Sequence, residues 1–343
     1  MKDIFSMRWH DKKLDLLDQT LLPNKITYET LTTSDEVFEA IQTMKVRGAP
    51  AIGVAAGYGM VLAAFCAPDD NFWEFFKDNA EKLKKSRPTA VNLSWAINRM
   101  ENLALSLKGE TLGKIRSALE VEAIAIQNED TEINKKIGEN LLSLIKDGDG
   151  VLTHCNAGEL ATSAYGTALS PFYLAKEKGM NIKVYADETR PRLQGARLTS
   201  FELFYNGIDV TLICDNMAPL VMRDGKVSAV IVGCDRIAAN GDTANKVGTF
   251  GVSIAAKYFG IPFYIAAPTP TIDMNCATGK NIPIEERSNE EILCINGEYI
   301  APKGVKTYNP AFDVTPAENI AAIVTEKGIV RAPFPENLKK LME

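Results

Sequence analysis

Five short apolar runs in the second half of the chain constrain its fold most. They are "VLTHC" (151–155), "IKVYAD" (182–187), "VTLICD" (210–215), "AVIVGCD" (229–235) and "PFYIAAP" (262–268). Most are separated by helical patterns such as "GTALSPFYLAKEKG" and "TSFELFYNG". Continuously apolar strands alternating with helices predict a parallel sheet covered on both faces. The expected fold class is therefore α/β, with a C-terminal Rossmann-like, doubly wound sheet. Each run ends in polar or turn-forming residues: Cys155-Asn156, Asp187-Glu188-Thr189-Arg190, Asp215-Asn216, Asp235-Arg236 and Pro268-Thr269. Ligands of open parallel sheets bind outside the carboxyl ends of the strands. The five loops are thus expected to converge on one side of one sheet.

The first 145 or so residues follow a different pattern. "SMRWHDKKLDLLD" and "KITYETL" alternate as half-buried strands do. Thr33-Ser34-Asp35-Glu36 then opens an amphipathic helix with Val37, Ile41 and Met44 on one face. Further helical patterns run over 71–85, 89–107 and 112–145. Gly148 and Gly150 close this part, which gives an N-terminal mixed, mainly helical domain at 1–148 and a Rossmann-like domain at 149–343. The uncharged segment Ala49 to Pro68, "APAIGVAAGYGMVLAAFCAP", has the length of a membrane span. It is rich in Ala and Gly and stands alone, so it is expected to be a core helix whose small residues allow close packing.

A net charge of −6 argues against a nucleic-acid surface. Six cysteines without a C-x-x-C pair, and no signal peptide, point to a reduced cytoplasmic protein. Two histidines and no ligand spacing argue against zinc. No G-x-G-x-x-G follows any of the strands and no G-x-x-x-x-G-K-[ST] occurs, which disfavours a nucleotide-dependent enzyme.

Several groups can do chemistry. Cys155 ends the first core strand, before a Gly158 turn into a helix. It reads either as a thiol activated by helix-terminal amides or as a small inert residue closing a strand. Asp235 directly follows a buried strand, where partial desolvation would raise its pKa and suit it to general-acid work; the bland alternative is a helix cap or a partner for Arg236. Asn245-Lys246-Val247-Gly248-Thr249 places an amide and a cation at a helix start, suited to a phosphate or a sugar hydroxyl. Arg47-Gly48 precedes Pro50 at a helix start, and Arg87-Pro88-Thr89 repeats the design. Two such arginines can clamp one phosphate, or can be ordinary surface residues. Gln194 lies in a further polar loop, with Arg190, Arg192 and Arg197 around Gly195.

Together "VRGAPAIG", "RPTAVNLSWAINRM", "LTHCNAG", "ADETRPRLQGARLT", "GCDRIAANGDTANKVGT", "NPAFDVTP" and "VTEKG" closely resemble the methylthioribose-1-phosphate isomerase family of methionine salvage, from about residue 7 to residue 335. The resemblance implies conversion of 5-methylthioribose 1-phosphate to 5-methylthioribulose 1-phosphate, with no metal, nucleotide or other cofactor, by a cytoplasmic homodimer. It puts the catalytic cysteine at Cys155 and the catalytic aspartate at Asp235. It puts substrate contacts at Arg47, Gly48, Ala49, Arg87, Gln194, Asn245 and Lys246. The partner implied is a small sugar phosphate, with no nucleic acid and no membrane. Two positions depart from the family pattern: Glu159 after "CNAG", and Cys234 before Asp235. They leave 5-deoxyribose 1-phosphate as an alternative substrate. A non-catalytic regulatory subunit that binds sugar phosphate is the alternative from another class.

Overall fold

The computed structural model describes residues 4–88, 90–295 and 297–343. Backbone contacts divide the chain into two units, Met1–Ile133 with Gly158–Gly166, and Asn134–Ala157 with Thr167–Glu343. The sequence puts the boundary at 148/149; the contacts assign 134–148 to the second unit and 158–166 to the first.

The first unit opens with an antiparallel sheet of β1 (Met7–His10), β2 (Lys13–Leu17) and β3 (Tyr28–Leu31). Helix α1 (Ser34–Gln42) starts where its capping residues predict. Thr33 accepts the Glu36 amide, and the Glu36 carboxylate accepts the Thr33 amide. Four more helices follow: α2 (Ala49–Cys66), α3 (Phe72–Lys84), α4 (Val91–Ser106) and the long α5 (Leu112–Leu142). Ala90 caps α4, so Pro88 lies outside its first turn, whereas Pro50 lies within that of α2. The expected repeat of one Pro-started design is therefore absent, and Thr89 lies outside the described residues.

Helix α2 is the one described helix long and apolar enough to cross a membrane, and every residue from Ala51 to Ala64 is buried. Its glycines explain how. A Cβ on Gly53 would lie 3.0 Å from the Asn92 carbonyl oxygen of α4. One on Gly59 would lie 3.1 Å from Val37 of α1 and 3.2 Å from Leu83 of α3. The small residues thus let three neighbouring helices approach one central rod.

In the second unit a seven-stranded sheet has the order β16-β15-β10-β7-β4-β5-β6. Its strands are β4 (Gly150–Thr153), β5 (Lys183–Asp187), β6 (Asp209–Ile213), β7 (Ala229–Val232), β10 (Phe263–Ala266), β15 (Ala322–Thr325) and β16 (Gly328–Val330). All pairs are parallel except the edge pair β15–β16. The five predicted runs supply five of these strands. Leu152, Val230, Val232 and Ile265 pack in one cluster with α8 (Ala218–Arg223), α9 (Thr249–Tyr258) and α11 (Phe334–Met342). Val151, Val184 and Ile231, of opposite phase, are buried too, so both faces are covered.

The chain runs outward from β4 through β5 to β6, then returns to β7 on the other side of β4. The strand order therefore reverses between β4 and β7, the position where doubly wound sheets open a crevice. A smaller sheet of order β11-β8-β9-β14 follows β7 in the chain: β8 (Arg236–Ala238), β9 (Thr243–Lys246), β11 (Ile272–Asp273) and β14 (Phe312–Thr315).

Gly59→Leu should overpack α2 against Val37 and Leu83 and cost about 1–3 kcal/mol. A lowered urea midpoint at unchanged slope would show it; an unchanged midpoint would mean that the helices give way freely.

Candidate functional site

The reversal point brings Cys155 and Asp235 to the carboxyl ends of neighbouring parallel strands. β4 and β7 pair Leu152 with Val230, and the same register carried three residues on sets Cys155 across from Gly233. A side chain at Gly233 would come within 2.6 Å of Ala157 Cβ, so only glycine admits this approach. Two residues later the chain delivers Asp235.

Cys155 has a left-handed backbone, φ 68°. A non-glycine residue holds that conformation when its surroundings over-determine it. Here the Cys155 amide donates to Thr189 Oγ1 at 2.9 Å, and the Cys155 carbonyl accepts from Thr199 Oγ1 at 2.7 Å. Thr189 is itself left-handed, φ 64°. Its amide and that of Arg190 donate to the two oxygens of Asp215, at 2.6 and 2.7 Å. The ends of β4, β5 and β6 are thereby tied together, with the half-buried Cys155 thiol beside them.

Gln194 leads into a π-helical turn, Gly195–Thr199. A Cβ on Gly195 would fall 1.6 Å from the Asp187 carbonyl oxygen, so the turn lies directly on β5. Gln194 Oε1 is buried without a hydrogen-bond partner, an acceptor available to a ligand hydroxyl.

Asp235 departs from expectation. It is exposed, so the desolvation inferred from its place after a buried strand is not found. The reason is topological: no helix follows, and its amide pairs with the Ala244 carbonyl at 2.9 Å as the chain enters the β8–β9 hairpin. The neighbouring Cys234 is half-buried, and its thiol is pushed well up by desolvation and by the Asp235 charge.

Asn245 and Lys246 end β9. Asn245 Nδ2 donates to Thr249 Oγ1 at 2.9 Å. Lys246 Nζ donates to the Ala311 carbonyl at 2.9 Å and sits 4.6 Å from the Phe312 ring centre. Two of the amides at the start of α9, expected to attract phosphate, are already engaged. Asp313 accepts from Gly248 at 2.7 Å and from Phe250 at 3.1 Å. A carboxylate of the chain thus fills the helix N-terminus.

In the first unit Gly48 caps α2 with φ 93°, and a Cβ there would strike the Ala161 backbone at 2.4 Å. Arg47 and Arg87 are half-buried, and Ala49 is exposed at the first position of α2. Glu159 begins a three-residue 3-10 helix of the same unit.

A buried pair beneath Cys155 escaped sequence reasoning. His154 and Asp187 are 1% and 0% exposed, and His154 Nδ1 lies 2.9 Å from Asp187 Oδ2. His154 Nε2 lies 3.0 Å from the Val247 carbonyl oxygen. The signal was the register: β4 and β5 pair Thr153 with Ala186, so the next two positions face each other. Burial pushes the Asp187 carboxyl up to about 6 against the pull of His154. Burial pulls His154 down, but Asp187 outweighs it and holds the imidazole above its ordinary value. His154, Asp187 and Asp215 form one cluster of metal-ligating types among the described residues. His154 spends both ring nitrogens, on Asp187 Oδ2 and the Val247 carbonyl, and both Asp215 oxygens accept backbone amides, the pattern of a structural polar network, while Asp187 Oδ1 is buried without a hydrogen-bond partner.

Residues 45–332 match the initiation factor 2 subunit family. A 5-deoxyribose 1-phosphate isomerase of Clostridium botulinum (strain Kyoto / Type A2) is 65% identical over 100% of both chains. One of Bacillus cereus is 59% identical over 100% of this chain and 99% of its own. The crystal structure of 5-methylthioribose 1-phosphate isomerase from Pyrococcus horikoshii matches with a TM-score of 0.96 at 45% identity, over 100% of this chain and 96% of that one. The structure described as translation initiation factor eIF-2B, subunit delta, from A. fulgidus matches with a TM-score of 0.93 at 46% identity, over 99% of each.

His154 and Asp187 both hold protons more tightly in the folded chain than in the unfolded one. Their stabilisation is therefore full at low pH and is lost as pH rises through the Asp187 value of about 6 and then the His154 value. Asp187 is present in both proteins, so the Tm gap between wild type and His154→Gln should narrow only as pH rises above the ordinary imidazole value and the raised His154 gives up its proton. A constant gap would show that the pair does not titrate there.

Proposed function

The chain belongs to the initiation factor 2 subunit family, and we propose that it is an aldose–ketose isomerase of a 5-modified ribose 1-phosphate, with 5-deoxyribose 1-phosphate preferred. The observation that carries this reading is that Cys155 and Asp235 follow the carboxyl ends of two adjacent strands, where the strand order reverses. The relatives named for 5-deoxyribose 1-phosphate, 65% and 59% identical over essentially their whole lengths, support that substrate. The sequence resemblance ranked 5-methylthioribose 1-phosphate first, and the 45% match to the Pyrococcus horikoshii isomerase keeps it as the second reading.

The chemistry explains the residues. In a ribose 1-phosphate the anomeric oxygen carries the phosphate, so the ring cannot open by simple hemiacetal loss. Asp235 donates a proton to the ring oxygen as the C1–O bond breaks. Like-charge repulsion from the substrate's phosphate favours the protonated form of a neighbouring carboxyl, the form this step needs. A hydrogen then moves from C2 to C1 while the C2 hydroxyl gives up its proton, replacing the one Asp235 supplied, so the ketose forms with no net change of atoms. Cys155, held rigidly at the end of β4, handles a proton or stabilises charge in that transfer.

Binding falls to the other residues. Gln194 offers its buried acceptor to a sugar hydroxyl, and Asn245 a further polar contact. Lys246 keeps two ammonium protons beyond the one given to Ala311. Arg47 and Arg87 bring guanidinium forks suited to phosphate, and Gly48 with Ala49 brings the amides opening α2.

The likeness to the A. fulgidus protein supports a second reading, a regulatory module that binds sugar phosphate without turnover. Side-by-side assay of 5-deoxyribose 1-phosphate, 5-methylthioribose 1-phosphate and ribose 1,5-bisphosphate separates the readings. The expected order of kcat/KM follows the order in which they are named, and no conversion of any would favour the regulatory module. Asp235→Asn should lower kcat by about 10² to 10⁴ with KM within a few-fold. Substantial residual turnover would remove Asp235 from the acid role.

A further inference from the structure

Isomerisation as proposed leaves the His154–Asp187 pair unused, although both residues are buried directly beneath the candidate site. Their geometry gives each a task. Among the described residues the hydrogen-bond partner of His154 Nε2 is the Val247 carbonyl, an acceptor at 3.0 Å, so this nitrogen carries a proton. The second proton is shared between Nδ1 and Asp187 Oδ2, at 2.9 Å. The far side of the ring is closed by Gly248. A Cβ at that position would lie 2.8 Å from His154 Cε1, and the backbone there has φ 106°. Gly248 in turn donates to Asp313. The charged groups facing the ring are thus Asp187 at the end of β5, Asp215 after β6 and Asp313 on β14.

We propose that His154 is a positioning residue: its Nε2–H to the Val247 carbonyl fixes the Val247–Gly248 turn and so places Asn245 and Lys246 for substrate. Asp187 holds the ring so that Nε2 faces the turn. Placing β9 depends in this way on the residue before Cys155, which couples the substrate-binding end of the small sheet to the end of β4. The inference rests on the substrate-binding role proposed for Asn245 and Lys246.

Two variants of the full-length protein separate the ring's two bonds. In His154→Asn the side-chain amide reaches Asp187 but not Val247; in His154→Gln a donor is restored at the Nε2 position. KM for 5-deoxyribose 1-phosphate should rise about ten-fold or more in His154→Asn, with kcat within about three-fold, and His154→Gln should recover most of the loss. Amide hydrogen exchange at Gly248 and Phe250, which needs no substrate, should quicken in His154→Asn and slow again in His154→Gln. The isosteric Asp187→Asn keeps Nε2 protonated and should leave exchange at these amides and KM within about three-fold of wild type, which decides the matter if His154→Asn does not fold. Unchanged exchange in His154→Asn, faster exchange with unchanged KM, or an Asp187→Asn variant as impaired as His154→Asn would each overturn the proposal. If the wild type turns over no sugar phosphate, the functional reading falls, and the exchange data alone decide whether His154 fixes the turn.

Discussion

The pairing of β4 with β7 is the constraint on which the rest of the second unit depends. A chain that builds β4, β5 and β6 outward in order must come back across β4 to place its fourth strand, and β7 is that strand. The return opens a crevice because the connections after β4 and β7 leave in opposite directions. It also demands that two loops pass each other closely. Gly233 meets that demand, since any side chain there would strike Ala157. A cysteine and an aspartate separated by 80 residues in sequence thereby reach adjacent strand ends.

Around this crossing the polar groups are arranged by hydrogen bonding more than by ion pairing. Thr189 and Thr199 hold the backbone of Cys155 in a conformation that residue would not adopt alone. Asp215 receives two backbone amides, and Asp313 receives two more at the start of α9. Carboxylates that accept backbone amides order the loops that carry them, at the cost of occupying sites an external anion would otherwise use. The Gly248 and Phe250 amides at the start of α9 are therefore not open to an external anion while Asp313 holds them.

Legibility in the sequence followed periodicity. The helix start at Thr33, the central helix α2 and five of the strands were readable because apolar spacing and capping chemistry are local properties. The outer strands β15 and β16 passed unseen: they are four and three residues long and form an antiparallel hairpin, with no helical pattern between them to set them apart. The β8–β9 hairpin is not legible in the sequence, since three- and four-residue strands carry too little alternation to register. His154 was invisible as a partner of Asp187 because their meeting depends on strand register, which sequence spacing does not encode.

Composition, apolar runs and motif order by themselves determined that the chain builds a helical unit and a doubly wound sheet, and that Cys155 and Asp235 belong to one family pattern. Those are one-dimensional properties, set by side-chain type and local period. Exposure and partnership were decided only by the tertiary structure. Asp235 stands at the surface and Cys234 is desolvated, because a hairpin rather than a helix follows β7. His154 spends both ring nitrogens within the fold, because β5 and the Val247 turn arrive on either side of it. Whether a polar group meets water, another side chain or a substrate is fixed by which strands are neighbours, and that follows from how the whole chain packs.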